Sequence, residues 1–98
     1  LDTAPMWRRA MVGHAVANTV PIIAANRVGI EGEGATAQTF YGSSFAANEY
    51  GEIVAELDQS ETGMVVATFD LTAARAHRAS MGFFRDRRPD LYGILTEA

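Results

Sequence analysis

Two stretches of this chain are apolar without alternation, and they limit its folding more than any other feature. Val20–Val28 reads VPIIAANRV, continuously apolar at its start, and Met64–Phe69 reads MVVATF. A continuous apolar run of this kind belongs to a strand buried on both faces. Two such strands need cover above and below, and only two segments of the chain read as helix. The sequence therefore predicts α plus β layers whose cover is incomplete. Further strands, helices or a partner subunit must supply the rest.

The first helix is expected from about Pro5 to Thr19. Asp2 or Thr3 can cap it, and Pro5 suits a first turn. One stripe is Trp7, Met11, His14 or Ala15, and Asn18; a second is Met6, Ala10, Gly13 and Ala17. Val12 and Val16 occupy the side where a solvated helix would carry charge. A helix this apolar all round is covered on more than one side. The second helix is expected from Leu71 to about Met81, capped by Asp70 and ended by Gly82.

Between the helices, Pro21 belongs at a strand start or edge. Gly29–Thr39 reads as a long glycine-rich loop carrying Glu31 and Glu33, and long loops are often functional. Ser43–Asn48 and Glu52–Leu57 read as a hairpin around Asn48-Glu49-Tyr50-Gly51. In its second strand Ile53, Ala55 and Leu57 share one face. The element order is thus α-β-β-β-β-α. In the tail, FFRDRRPDLY from Phe83 to Tyr92, Pro89 stops any helix.

Composition excludes several function classes. The 98 residues carry a net charge of −4, which disfavours a nucleic-acid partner. No run is long enough to span a membrane. There is no Cys, so disulfides, thiolate metal sites and a thiol nucleophile are excluded, and a reducing cytoplasm fits. All basic residues are Arg, which favours planar pairing with carboxylates. The chain opens on Leu1 with no signal peptide, so a fragment or processed chain is expected.

Candidate chemistry is sparse. Gly42-Ser43-Ser44-Phe45-Ala46 is not a nucleophile elbow. His14 lies in an apolar helix and His77 on an Arg-rich one, where packing is the ordinary role. Gly32-Glu33-Gly34 lacks the context of a dinucleotide fingerprint. Glu31 and Glu33 have no nearby His to complete a metal site. Asn26 and Arg27 end a buried strand, a common place for site residues. The alternative is that Arg27 pairs a carboxylate and Asn26 satisfies backbone groups. Trp7 and Met11 read as packing.

The residues carry a family resemblance. WRRAMVGHAVANTVPIIAANRVG is similar to the region downstream of the nucleophile in carbon–nitrogen hydrolases of the nitrilase superfamily. The shared pattern is Asn26-Arg27-Val28-Gly29, then Gly42-Ser43-Ser44, then Gly51. FYGSSFAANEYGEIVAE and GFFRDRRPDLY are similar to the N-carbamoylputrescine amidase branch in particular. The resemblance covers about Trp7 to Leu95 and makes residues 1–98 the C-terminal segment of such a domain.

The resemblance implies the C-terminal part of a four-layer α-β-β-α sandwich, paired through helices into a homo-oligomer. It implies a small-molecule carbamoyl or amide substrate, no metal and no cofactor, and a place in polyamine synthesis. The resemblance places the family's Glu, Lys and Cys upstream of Leu1, and this chain has neither Cys nor Lys. No catalytic residue is therefore assigned here. For an amine-bearing substrate, Glu31 is the expected carboxylate, with Phe40 and Tyr41 as walls and Asn26 at the strand end. A relative acting on β-ureidopropionate or an aliphatic amide, or a non-catalytic assembly fragment, is the alternative. The tail's Arg85, Asp86, Arg87, Arg88 and Asp90 read either as an ion-pair network or as a subunit contact.

Overall fold

The computed structural model describes residues 2–97. Helix α1 spans Ala4–Asn18, with Pro5 in its first turn. The Asp2 carboxylate accepts the Ala4 N–H at 3.0 Å, while Thr3 holds the cap position without a side-chain bond. The helix ends in a Schellman turn. Thr19 N–H donates to the Val16 carbonyl (3.2 Å) and Val20 N–H to that of Ala15 (3.1 Å). Thr19 takes the left-handed position at φ 51°, which glycine usually fills.

Among the described residues five short strands follow: β1 (Ile22–Ala24), β2 (Val28–Glu31), β3 (Gln38–Tyr41), β4 (Phe45–Ala47) and β5 (Ile53–Glu56). One sheet has the antiparallel order β1-β4-β5, and β2 pairs with β3 in a second. Ala24 faces Phe45, and Val28 faces Tyr41. Both ladders therefore keep one register. Together they form a single long ribbon, interrupted only where residues 25–27 pass 42–44.

Two expectations are corrected here. The strand read over Val20–Val28 breaks after Ala24. The loop read over Gly29–Thr39 is ribbon at both ends, with a six-residue tip (32–37) that holds a 3-10 turn (Gly34–Thr36). Gly29, at φ +104°, sits inside β2, where its composition had read as loop.

The hairpin of β4 and β5 forms as its turn residues require. Gly51, at φ +82°, returns its N–H to the Asn48 carbonyl at 2.9 Å. A Cβ at Gly51 would lie 2.7 Å from Val16 Cγ2 and 3.0 Å from Val12 Cγ1, so the turn lies close over that side of α1. Phe45, Ala46 and Ala47 of central β4 are all buried, and Trp7 packs edge-on against Phe45 with ring centroids 5.6 Å apart.

Met64–Phe69 is not a strand, because none of the five strands pairs with it. Met64 and Val66 are 86% and 82% exposed, whereas Ala67 and Phe69 are half-buried. That alternation is the pattern of an extended chain with one face bare. Helix α2 (Leu71–Met81) then starts at Asp70, whose carboxylate accepts the Ala73 N–H at 3.0 Å, and ends at left-handed Gly82. His77 stacks on Tyr50 with centroids 4.3 Å apart, docking α2 onto the hairpin turn. In the tail, Arg85 pairs with Asp86 and Arg88 with Asp90. Pro89 opens a 3-10 turn (Pro89–Leu91), and a third 3-10 turn covers Gly93–Thr96.

The mixed α and β class holds, but the layers are thin. The chain measures 53 × 41 × 15 Å with a radius of gyration of 17.6 Å. A compact domain of this length has about 13 Å. The accessible surface is 7452 Å², against about 5,500 Å² from size scaling. The excess is apolar in part: Ile23, Ile30, Met64 and Val66 stay exposed.

Candidate functional site

The interruption of the ribbon is a knot of hydrogen bonds centred on Asn26. Its backbone N–H donates to Ser44 Oγ at 2.8 Å, and Ser44 Oγ donates to its carbonyl at 3.2 Å. The Asn26 side chain donates from Nδ2 to the Gly42 carbonyl at 3.0 Å and accepts the Arg27 N–H on Oδ1. Gly42 N–H donates to the Arg27 carbonyl at 2.9 Å. The spaced Asn-Arg-x-Gly and Gly-x-Ser residues are thus the two sides of one contact.

The knot needs an unusual backbone. Gly42 and Ser43 are left-handed in succession, at φ 53° and 61°. A Cβ on Gly42 would clash with Val28 Cγ1 and lie 3.1 Å from the Asp58 carbonyl, so only glycine fits. Ser43 is held by its N–H to the Asp58 carbonyl (3.1 Å) and its Oγ to the Tyr41 carbonyl (2.9 Å). Arg8 of α1 donates to the Ser43 carbonyl at 3.1 Å and to Glu56 at 2.8 Å.

A cleft of about 550 Å³ opens beside the knot, lined by Asn26, Arg27, Ser44 and Phe45 on one side and by Asp58 and the following loop on the other. The Asp58 carboxyl is held below the usual carboxylate range by the N–H groups of Ser60 and Glu61. The lining therefore mixes apolar wall with a few polar groups, as small-molecule sites do.

The other expected residues divide. Glu31 pairs with Arg27, whose guanidinium carbon lies 4.1 Å from the Phe40 ring centroid. Exposed Glu31 and Arg27 and half-buried Phe40 thus form one group on the ribbon. Tyr41 follows Phe40 along β3 and so faces the other side. Its ring lies 5.9 Å from that of Trp7, and its hydroxyl accepts from Thr3. Asn26 lines the cleft; Glu31, Phe40 and Tyr41 do not.

Sequence reasoning missed Arg8, Ser44 and Asp58. The Gly42-Ser43-Ser44 run was the signal for Ser44. Nothing local marked Arg8, whose contacts lie 35 and 48 residues away. Among the described residues no His bonds Ser44, and no triad assembles around it. Among the described residues no three His, Asp or Glu side chains gather as for a metal ion, and no helix is long and apolar enough to cross a membrane.

Comparison with known proteins places the chain. It is 54% identical to the N-carbamoylputrescine amidase of Arabidopsis thaliana, over 97% of this chain and 33% of that protein. It is 43% identical to a citrullinase of Francisella tularensis, over 93% of this chain and 32% of that protein. The crystal structure of a carbon–nitrogen hydrolase from Helicobacter pylori G27 superposes with a TM-score of 0.84 at 38% identity. That match covers 95% of this chain and 33% of that one. The chain spans about a third of the length of the relatives it matches. The carbon–nitrogen hydrolase pattern itself matches residues 2–79, and the chain belongs to that family.

Proposed function

We propose that residues 1–98 are the C-terminal segment of a carbon–nitrogen hydrolase domain, whose complete form hydrolyses N-carbamoylputrescine. The observation that carries this reading is the 54% identity to an amidase of that name across nearly the whole chain. The reaction consumes one water and gives putrescine, carbon dioxide and ammonia. In the proposed course a Cys thiolate attacks the carbamoyl carbon, a Lys steadies the tetrahedral oxyanion, and a Glu passes a proton to the departing nitrogen as the C–N bond breaks and ammonia leaves. Water, deprotonated by the Glu, then attacks the acyl-enzyme, the thiolate leaves, and the carbamate released falls to putrescine and carbon dioxide. This chain contains no Cys and no Lys, so those two groups come from outside it, and the Glu is proposed to lie with them upstream.

The segment supplies scaffold and pocket wall. Asn26 uses one side-chain N–H on Gly42 and keeps a second for a substrate polar atom. Glu31, fixed by Arg27, attracts the protonated amine. Phe40 walls the Glu31 side, and Tyr41 braces the ribbon against α1. Helix α1 and the Phe83–Tyr92 tail, with Met6, Phe84 and Leu91 exposed, supply contacts of a homo-oligomer. The cysteine-free composition suits a reducing cytoplasm.

The citrullinase relative favours a second reading, a hydrolase of another carbamoyl compound. Citrulline and N-carbamoylputrescine share a terminal ureido group and differ at the other end. Ammonia release by the complete polypeptide from N-carbamoylputrescine, citrulline and β-ureidopropionate separates the readings. The first requires the highest kcat/KM on N-carbamoylputrescine. The isolated 98-residue chain is expected to release none, and turnover by it would overturn the proposal.

A further inference from the structure

We propose that Arg8 is a positioning residue for this site, acting on Asn26 through the left-handed corner at Gly42–Ser43. The inference rests on the functional reading above only for its effect on turnover. Its geometry stands within this chain.

The Arg8 guanidinium is anchored three ways. One arm donates to Glu56 Oε2 at 2.8 Å and the other to the Ser43 carbonyl at 3.1 Å. Its central carbon lies 4.9 Å from the ring centroid of Phe45, which is 1% exposed. The planar fork lets one side chain serve two acceptors at once, which a lysine ammonium does less well. The charge-assisted bond reaches a carbonyl whose own residue is strained. A non-glycine left-handed residue persists only where its surroundings over-determine it. Ser43 has three such restraints, and Arg8 alone brings one from a helix.

The corner in turn holds Asn26. Ser44 takes both of its backbone groups, and the Gly42 carbonyl takes its side-chain amide. Apart from the Arg27 N–H next to it, every hydrogen bond on Asn26 among the described residues ends on Gly42 or Ser44. Asn26 therefore moves when the corner moves, and Arg8 ties the corner to α1. A residue that only stabilised the fold would not single out Asn26.

The test uses the complete polypeptide with R8Q, R8K, S44A and, as control, R9Q, which removes the same charge from the exposed side of the same helix. R8Q is expected to raise KM for the carbamoyl substrate about 5–10-fold with kcat within about twofold, because a binding contact is displaced. Loss of a positive charge alone would instead lower KM for a cationic substrate. R8K is expected to keep the melting temperature and retain most of the KM defect, and R9Q to change neither. The R8Q/S44A double variant is expected to raise KM no further than S44A alone, since both act on one element. Amide hydrogen exchange at Asn26 is expected to quicken in R8Q and not in R9Q. Equal KM in R8Q and R9Q, multiplying effects in the double variant, or unaltered Asn26 exchange would each overturn the role. If the wild type turns over no carbamoyl compound, the functional reading fails, and exchange at Asn26 still decides on Arg8.

Discussion

Ser44 Oγ bridges the two backbone polar groups of Asn26, receiving its N–H at 2.8 Å and donating to its carbonyl at 3.2 Å. One hydroxyl does what a neighbouring strand would do at any other point of the ribbon. The first expectation follows. Ser44→Ala leaves a part-buried N–H and C=O without partners, at a cost of about 1–3 kcal/mol. Urea denaturation of the complete polypeptide measures it. A midpoint equal to wild type would mean that water replaces the hydroxyl without loss.

Gly42 tests the corner rather than the bridge. Gly42→Ala drives a methyl into Val28 Cγ1 at φ +53°. Clash and left-handed strain together are expected to cost about 2–4 kcal/mol. The loss should be read as a lowered denaturant midpoint with an unchanged slope. Gly29→Ala, at φ +104° with open space around it, should cost less than Gly42→Ala.

Glu31 separates charge from structure. Its pair with Arg27 is exposed on both sides, so Glu31→Gln is expected to change stability by no more than about 1 kcal/mol. The same variant is expected to lower kcat/KM for N-carbamoylputrescine several-fold while sparing a neutral carbamoyl compound. Equal values for both substrates, unchanged from wild type, would remove Glu31 from the site.

Asp58 gives the molecule an acid limb. Its folded carboxyl titrates below the ordinary range because the Ser60 and Glu61 N–H groups stabilise the charged form. A depressed folded pKa contributes stability that is present above the unfolded value, about 3.9, and is lost as pH falls through the folded one. Asp58→Asn is therefore expected to flatten the fall of the urea midpoint between about pH 5 and pH 2. Parallel curves for the two proteins would show that the loop loses its hydrogen bonds in solution.

What the sequence made legible was local. Asp70 and Gly82 bracket α2, and Asn48–Gly51 closes the hairpin, because caps and turns are decided by residues a few positions apart. The ribbon was hidden because Gly29 and Gly32 read as loop, while the pairing of β2 with β3 depends on residues across the tip. Met64–Phe69 misled in the opposite way: its composition fits a strand, but a strand exists only beside another. Asn26 stood out as the end of a strand and lines the cleft; Glu31 stood out as an acid in a long loop and lies outside it. Arg8 did not stand out, because its grip on Ser43 spans 35 residues and leaves no pattern in the chain.

The unbroken register of the ribbon has a consequence for how such a protein varies. Ala24 opposite Phe45 and Val28 opposite Tyr41 belong to one continuous alignment. Residues added or removed in matched pairs near Gly34–Thr36 would extend or shorten the arm while leaving Asn26 and Ser44 where they are. Reach at the far end can be altered without retuning the anchor.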